Sequence, residues 1–311
     1  MKAGRKRTWQ PLVEGDHVDI VAPGWATEAH IPKAASAFLK SWGLIPRVPT
    51  GLLKPHFLGS HTREKRFDFL KDALLNPQSK VIWCLRGGYG SLHLLEKLAV
   101  LPRPRQVKLL IGISDMTSLH SFLAAQWNWP SLHGPLLDRV ATGKVLPSHM
   151  RELKQILFGE VSQVSFKKLK PLNQAAQKRQ VVTGPVVGGN LTVFQSLVGT
   201  PYQVSLKGKI LFLEDIGERA YRVDRALEHL WQAGPLKQIS ALVFGDFIGG
   251  IEKNGKDLTS KVMKIWAERL SVPVLKGLEA GHKDIQRPVP LLTSARLNLG
   301  ESPLLVIETG I

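Results

Sequence analysis

The chain has 311 residues, of which 43% are hydrophobic and 22% charged, a composition that provides for a buried core and excludes a disordered or fibrous protein. Its 42 lysines and arginines against 25 aspartates and glutamates give a net charge of +17, which favours anionic partners, but no zinc-finger, helix-turn-helix or ribonucleoprotein signature points to nucleic acid. The single cysteine, Cys84, excludes an internal disulfide and a cysteine metal cluster.

In chain order, the first feature is a basic cluster at Lys2, Arg5, Lys6 and Arg7. No apolar stretch of signal-peptide length follows it, and no window approaches the ~18 apolar residues of a membrane span. A soluble, cytoplasmic protein with no membrane span is the expectation. Residues 18–22 form a short apolar run that stops at Pro23–Gly24. Helical periodicity follows over 31–42 and 62–75, the latter through Phe67, Phe69, Leu70 and Leu74. A second apolar run, 81–85, contains Cys84 and stops at Gly87–Gly88, and a third, 109–111, stops at Gly112. Short strands alternating with helices predict an α/β fold whose N-terminal domain, 1–155, is a parallel sheet of flavodoxin or Rossmann type. Ligands of such sheets sit beyond the carboxyl ends of the strands, where these glycines fall. Two further basic clusters, Arg103, Arg105 and Lys108, then Lys167, Lys168 and Lys170, read as solvated surface.

Residues 156–183 are polar and Lys-rich and read as an interdomain linker. The C-terminal domain, 184–311, is expected to be a smaller α/β unit with a mixed sheet or barrel-like core. It has strand candidates at 209–213, 241–244, 273–278 and 304–307. Val223, Leu227, Leu230 and Trp231 recur at helical spacing, as do Val262, Ile265, Trp266 and Leu270.

Four segments carry candidate chemistry. The strand 109–113 runs into Ser114, and a helix follows through Leu119, Phe122 and Leu123. A serine on such a turn projects its hydroxyl above the sheet beside a free backbone N–H, as a nucleophile requires; it is equally a common helix N-cap. Residues 85–91, Leu-Arg-Gly-Gly-Tyr-Gly-Ser, suit an oxyanion-binding turn or a plain tight turn, and contain neither Gly-x-Gly-x-x-Gly nor Gly-x-x-x-x-Gly-Lys. Glu214 closes a strand candidate, where a carboxylate orients a histidine or caps the helix starting near Arg219. His282 is one of 10 histidines and taken alone reads as an exposed loop residue. No His-Glu-x-x-His is present, so no metal site is expected.

Taken together, these segments resemble the LD-carboxypeptidase family of serine peptidases, which includes the microcin self-immunity peptidases. The matching stretches run in the family's order: Val21-Ala22-Pro23-Gly24, Arg86-Gly87-Gly88-Tyr89-Gly90, Gly112-Ile113-Ser114-Asp115-Met116-Thr117 and His133-Gly134-Pro135. After them come Gly188-Gly189-Asn190-Leu191, Gly199-Thr200-Pro201, Leu211-Phe212-Leu213-Glu214-Asp215, Tyr221-Arg222-Val223-Asp224-Arg225 and Gly281-His282. They cover about residues 18 to 290.

The resemblance implies a Ser114–His282–Glu214 triad between two domains. It implies an oxyanion hole from the backbone of Asp115 and a glycine of the 87–88 pair, taken as Gly88. Arg86, Gly87 and Asn190 are expected to contact substrate, Asn190 alternatively holding the site together. Similar proteins release the terminal D-alanine of a peptidoglycan tetrapeptide or muropeptide during cell-wall recycling, as cytoplasmic homodimers without metal or cofactor. A family alternative is an immunity-type peptidase or amidase acting on a modified peptide or acyl-adenylate, with Trp25, Trp127 or Trp129 available to stack on a base. A non-catalytic wall-binding module is the remaining alternative. The chain departs from the family at Lys283, where a glycine is common, and over 286–290.

Overall fold

The structure is a computed structural model and describes residues 8–311; the basic cluster at Lys2, Arg5, Lys6 and Arg7 lies outside the described residues. The strands are β1 (His17–Val21), β2 (Ile45–Arg47), β3 (Ser79–Cys84), β4 (Leu109–Gly112), β5 (Ser131–His133), β6 (Gln163–Phe166), β7 (Lys170–Pro171), β8 (Val181–Thr183), β9 (Val186–Asn190), β10 (Ile210–Ile216), β11 (Ala241–Ile248), β12 (Val274–Lys276), β13 (Val289–Leu291), β14 (Ala295–Asn298) and β15 (Leu304–Glu308).

The apolar runs of the first half become β1, β3 and β4, three of the four inner strands of a sheet ordered β13-β5-β4-β3-β1-β2. Strands β1 to β5 are parallel. Inner parallel strands are covered on both faces, which is why these runs are continuously rather than alternately hydrophobic. The helices Ile31–Ser41 and Arg63–Leu75 lie between them in sequence. The second starts where Thr62 accepts the N–H of Lys65 at 3.4 Å. At its other end Lys108 departs from the solvated role expected of it. Its ammonium is buried and donates to the carbonyls of Ala73 (2.6 Å) and Asn76 and to Ser79 Oγ (2.8 Å). The lysine thus satisfies carbonyls that the helix leaves open, and burial lowers its pKa to about 8 despite nearby Asp19.

The second half builds two sheets. The first is ordered β7-β12-β11-β10-β9, with β9 to β12 parallel and β7 antiparallel at its edge. The other, β6-β15-β14-β8, is antiparallel throughout. Both are open, so among the described residues the barrel-like alternative gives way to the mixed-sheet one: no pairing joins the first and last strands of either sheet.

Residues 156–183, read as a linker, contain β6, β7 and β8, each of them an edge strand. Among the strand residues only Lys170 is charged; the polar, Lys-rich character lies in the connections, at Lys167, Lys168, Lys178 and Arg179. In the other direction, β13 leaves the second half to close the first sheet beside β5, with Val289 opposite His133. One hydrophobic core accordingly holds Ile111 of β4, Phe212 of β10 and Val289 of β13 together. A second core packs Leu227 and Leu230 of helix Ala220–Gln232 and Trp266 of helix Thr259–Arg269 against Leu211, Leu213 and Phe244. The strand ends carrying Ser114 and Glu214 are thereby fixed to one framework.

Candidate active site

Strand β4 ends at Gly112 and Ile113 is extended; Ser114 then turns with φ of 66°. A left-handed backbone costs a serine ~1–2 kcal/mol, and strain of this kind gathers at functional sites. The helix begins at once as a tight turn (Ser114–Met116), continues as Thr117–Phe122 and ends in a wider turn (Leu123–Trp127). The N-cap of this helix is Ile113, with no side-chain capping bond, so Ser114 does not play the capping role that its residue type allows. Below the turn, His120 is buried between Gly112 O and Ser131 Oγ, each 2.9 Å away. Because the carbonyl only accepts, Nε2 donates to it and Nδ1 accepts the serine hydroxyl. Burial pushes this imidazole down to about 3, so it is neutral and ties the helix to β4 and β5.

The glycine-rich loop lies on the serine. A Cβ at Gly87 would sit 3.0 Å from Ser114 Cβ and 3.3 Å from its Oγ. Gly88 has φ of 91°, and a Cβ there would fall 2.5 Å from Trp25 Cβ. Two residues hold this loop in ways the sequence reading missed. Asp115, singled out only for its N–H, accepts the N–H of Ser91 on Oδ2 at 2.9 Å, while Ser91 Oγ donates to Asp115 O at 2.6 Å. Burial pushes the Asp115 carboxyl upward, opposed by these bonds. Arg66 is buried and donates to Pro23 O, to Gly90 O (2.9 Å) and to His61 O (3.2 Å). In the sequence it is one more charge on a helix, and no spacing singles it out.

On the second sheet, Glu214 stands in β10 with no exposed surface. Its Oε2 is 2.6 Å from His282 Nδ1, and its Oε1 is 3.7 Å from His133 Nε2. Burial works against the Glu214 charge, but the two imidazoles outweigh it and hold the carboxyl down at about 2. Burial likewise opposes a charged His282, and the bond and charge of Glu214 overcome it, leaving the imidazole above its ordinary value. His282 is therefore a partly buried partner of Glu214 rather than an idle loop histidine. Among the described residues no hydrogen bond joins it to Ser114; catalytic bonds are often long in unliganded sites.

Contacts nonetheless link the two centres. Glu214 is in register with Asn190 of β9. The N–H of Asn190 donates to Thr117 Oγ1 at 2.9 Å, three residues beyond Ser114. The Asn190 side chain is used within the fold: Nδ2 donates to Asp215 Oδ1 at 2.8 Å and Oδ1 accepts the N–H of Val193 at 3.1 Å. These bonds serve the holding role, and they use one of the two Nδ2 hydrogens and one of the two Oδ1 lone pairs.

Arg86 stays half-exposed, its Nη1 3.6 Å from Asp138 Oδ2. Lys283, in the position where a glycine is common, reaches Asp246 Oδ1 at 3.0 Å. The divergent segment 286–290 locks the second half to the first: Arg287 pairs with Glu152 and Glu279 and lies over the Phe166 ring, just before β13. Of the three tryptophans, Trp25 is half-exposed beside Gly88, whereas Trp127 and Trp129 are buried in the core. A cavity of about 860 Å³ lined by Gln126, Asn128, Lys209 and Thr293 contains none of these site residues in its wall. Among the described residues no group of three histidine, cysteine or acidic side chains is arranged to hold a metal, and no helix is long and apolar enough to cross a membrane.

Comparison with known proteins converges on one family. Residues 18–134 match the LD-carboxypeptidase N-terminal domain and residues 183–297 the LD-carboxypeptidase C-terminal domain. A putative carboxypeptidase of Rickettsia conorii is 40% identical over 243 residues, covering 78% of this chain and 75% of that protein. The murein tetrapeptide carboxypeptidase of Pseudomonas aeruginosa is 31% identical over 293 residues, 91% of this chain and 93% of its own. Among solved structures, the muramoyltetrapeptide carboxypeptidase of Oxalobacter formigenes superposes with a TM-score of 0.81 at 29% identity, over 94% of this chain and 98% of the other. A strained serine on an elbow, a buried carboxylate on a histidine and two matched domains lead to one statement: this chain belongs to the LD-carboxypeptidase family.

Proposed function

We propose that this protein is a serine LD-carboxypeptidase that releases the terminal D-alanine from a peptidoglycan tetrapeptide, cutting the bond between an L-centre and the D-residue. The observation that carries the reading is the 2.6 Å bond between Glu214 Oε2 and His282 Nδ1. It leaves Nε2 of the same ring free to act as a base. Names of relatives that act on murein peptides support the substrate class. Cell-wall recycling, a cytoplasmic location and a homodimer belong to the same proposal.

In this reading His282 Nε2 takes the proton of Ser114 Oγ as the oxygen attacks the carbonyl carbon preceding D-alanine. Glu214 fixes the tautomer and stabilises the imidazolium. The oxyanion is held by the backbone N–H groups of Asp115 and Gly88, each such donor being worth ~10²–10³ in rate. His282 then gives its proton to the leaving amine, and water, deprotonated by the same ring, releases Ser114 from the acyl-enzyme. Arg86, half-exposed and 3.6 Å from its one acidic partner, supplies a guanidinium for the substrate's free carboxylate.

The test is incubation with disaccharide-tetrapeptide followed by mass spectrometry, with Ser114→Ala alongside. Release of one D-alanine by the parent protein and a loss of ~10⁴ or more in the variant are expected. Equal release by both overturns the assignment of Ser114. The second reading, a peptidase for a modified peptide bearing an aromatic base, is favoured by one observation: Trp25 stands half-exposed beside Gly88. Cleavage of an aminoacyl-sulfamoyl adenosine, with tetrapeptide left intact, selects it.

A further inference from the structure

We propose that His133 is a positioning residue for the orienting acid: its Nε2–H faces Glu214 Oε1 and holds the carboxylate on which His282 depends. The proposal rests on reading Ser114, His282 and Glu214 as the triad. Glu214 has two oxygens and no exposed surface. His282 takes Oε2 at 2.6 Å. Oε1 is buried without a hydrogen-bond partner, and so is His133 Nε2; the two atoms lie 3.7 Å apart. A buried carboxylate oxygen left without a donor carries its full desolvation cost, and this imidazole nitrogen, itself buried and without a partner among the described residues, lies 3.7 Å from it.

The ring is held on several sides. His133 closes β5, in register with Gly112 two residues before Ser114, and with Val289 on its other edge. The ring of Phe212, two residues before Glu214, meets it edge-on at 5.0 Å. The imidazole thus belongs to the sheet of the serine while its partner belongs to the sheet of the acid. It fixes the distance between the two halves of the triad at the point where they meet. His120, whose ring is 6.5 Å away, is neutral and adds no competing charge.

Removing the Nε2–H leaves the Glu214 charge to His282 alone, so the proton affinity of His282 rises. The other groups acting there are Asp215 of β10, Asp246 of β11 with its partner Lys283, and Arg139 of helix Leu137–Ala141. None of them changes in the test.

The experiment compares three variants of the full chain. His133→Leu keeps bulk without a donor; His133→Gln returns a donor near the place of Nε2; His133→Asn keeps an amide that falls short of Glu214. Two quantities are read: the titration of the His282 ring by NMR, and kcat and KM for D-alanine release. In His133→Leu the His282 titration moves to higher pH and kcat falls by about 10², as for a misplacement of ~1 Å, with KM within twofold. His133→Gln returns both towards the parent values. Unchanged titration and kcat in His133→Leu overturn the proposal, as does His133→Gln behaving like His133→Leu. Should His133→Leu fail to fold, His133→Asn takes its place under the same criteria. The titration needs no turnover. A parent protein that releases no D-alanine therefore overturns the functional reading while the NMR shift still decides the role of His133.

Discussion

Thr117 Oγ1 accepts the backbone N–H of Asn190 at 2.9 Å, and this single bond joins the helix behind Ser114 to the strand in register with Glu214. Both residues are buried, so no water replaces the bond when it is lost. Thr117→Val keeps the shape and removes the acceptor. Leaving the Asn190 N–H unpaired is expected to cost ~1–3 kcal/mol in urea unfolding. Because the bond spans the two halves of the site, kcat should fall more than KM rises. A variant with parent stability and parent kcat would show that the two halves are aligned by other contacts.

Gly87 tests the approach of the loop to the serine. A methyl group there meets Ser114 Cβ at 3.0 Å and Oγ at 3.3 Å, against a backbone already turned to φ of 66°. Gly87→Ala should displace the hydroxyl and lower kcat by about 10², the usual effect of a ~1 Å misplacement. Gly87 is buried, but the atoms its new methyl group meets belong to Ser114 and Ile113 of the elbow itself, so the strain falls there and the unfolding midpoint should move little. Loss of kcat together with a large loss of stability would instead mean that the whole loop had been dislodged.

The parts of this site that were legible in the sequence are those set by strand ends. Val81, Ile82, Leu110 and Ile111 are apolar because both faces of their sheet are covered, so the position of Ser114 past β4 could be read from one segment. The Glu214–His282 pair could not: 68 positions separate the two residues, and only the family resemblance singled out that histidine among ten. Arg66 and His120 were invisible as site residues, and His133 stood out only within a stretch matching the family, because their roles lie in what they touch across the fold. The segment 156–183 read as a linker because its strands have only two to four residues, too few to show a period, and the connections between them are polar.

The pH dependence follows from the buried pair. Catalysis needs His282 neutral, and Glu214 holds its pKa above the ordinary 6.5, so kcat/KM should rise through that elevated value as pH increases. In Glu214→Gln burial, the largest influence on the ring, is opposed by the Asp215 charge alone, and the limb should move below 6.5 with a plateau lowered by ~10⁴. The same pair sets a stability window. Glu214, held at about 2 against an ordinary 4.5, contributes stability above 4.5 that is lost as pH falls towards 2. His282, raised in the fold, contributes stability that is complete below 6.5 and is lost as pH rises through its folded value. The unfolding temperatures of the parent and Glu214→Gln should therefore differ most between 4.5 and 6.5, and converge on either side. A difference that grows steadily from acid to alkaline pH would contradict the pairing.

Ser114 itself separates function from stability. Its left-handed backbone places the hydroxyl above the strand ends and costs ~1–2 kcal/mol in any residue with a Cβ. Ser114→Ala removes the nucleophile and keeps the strain; Ser114→Gly removes both. Both variants should lose D-alanine release by ~10⁴ or more, but the glycine variant should be more stable than the alanine one by roughly 0.5–1 kcal/mol, the ~1–2 kcal/mol of strain relieved less the ~0.5–1 kcal/mol that glycine's wider unfolded ensemble costs. Urea unfolding of the two inactive proteins measures that difference directly. Alanine equal to or more stable than glycine would mean that Ser114 is not held in this conformation in solution. The elbow would then form only when substrate binds.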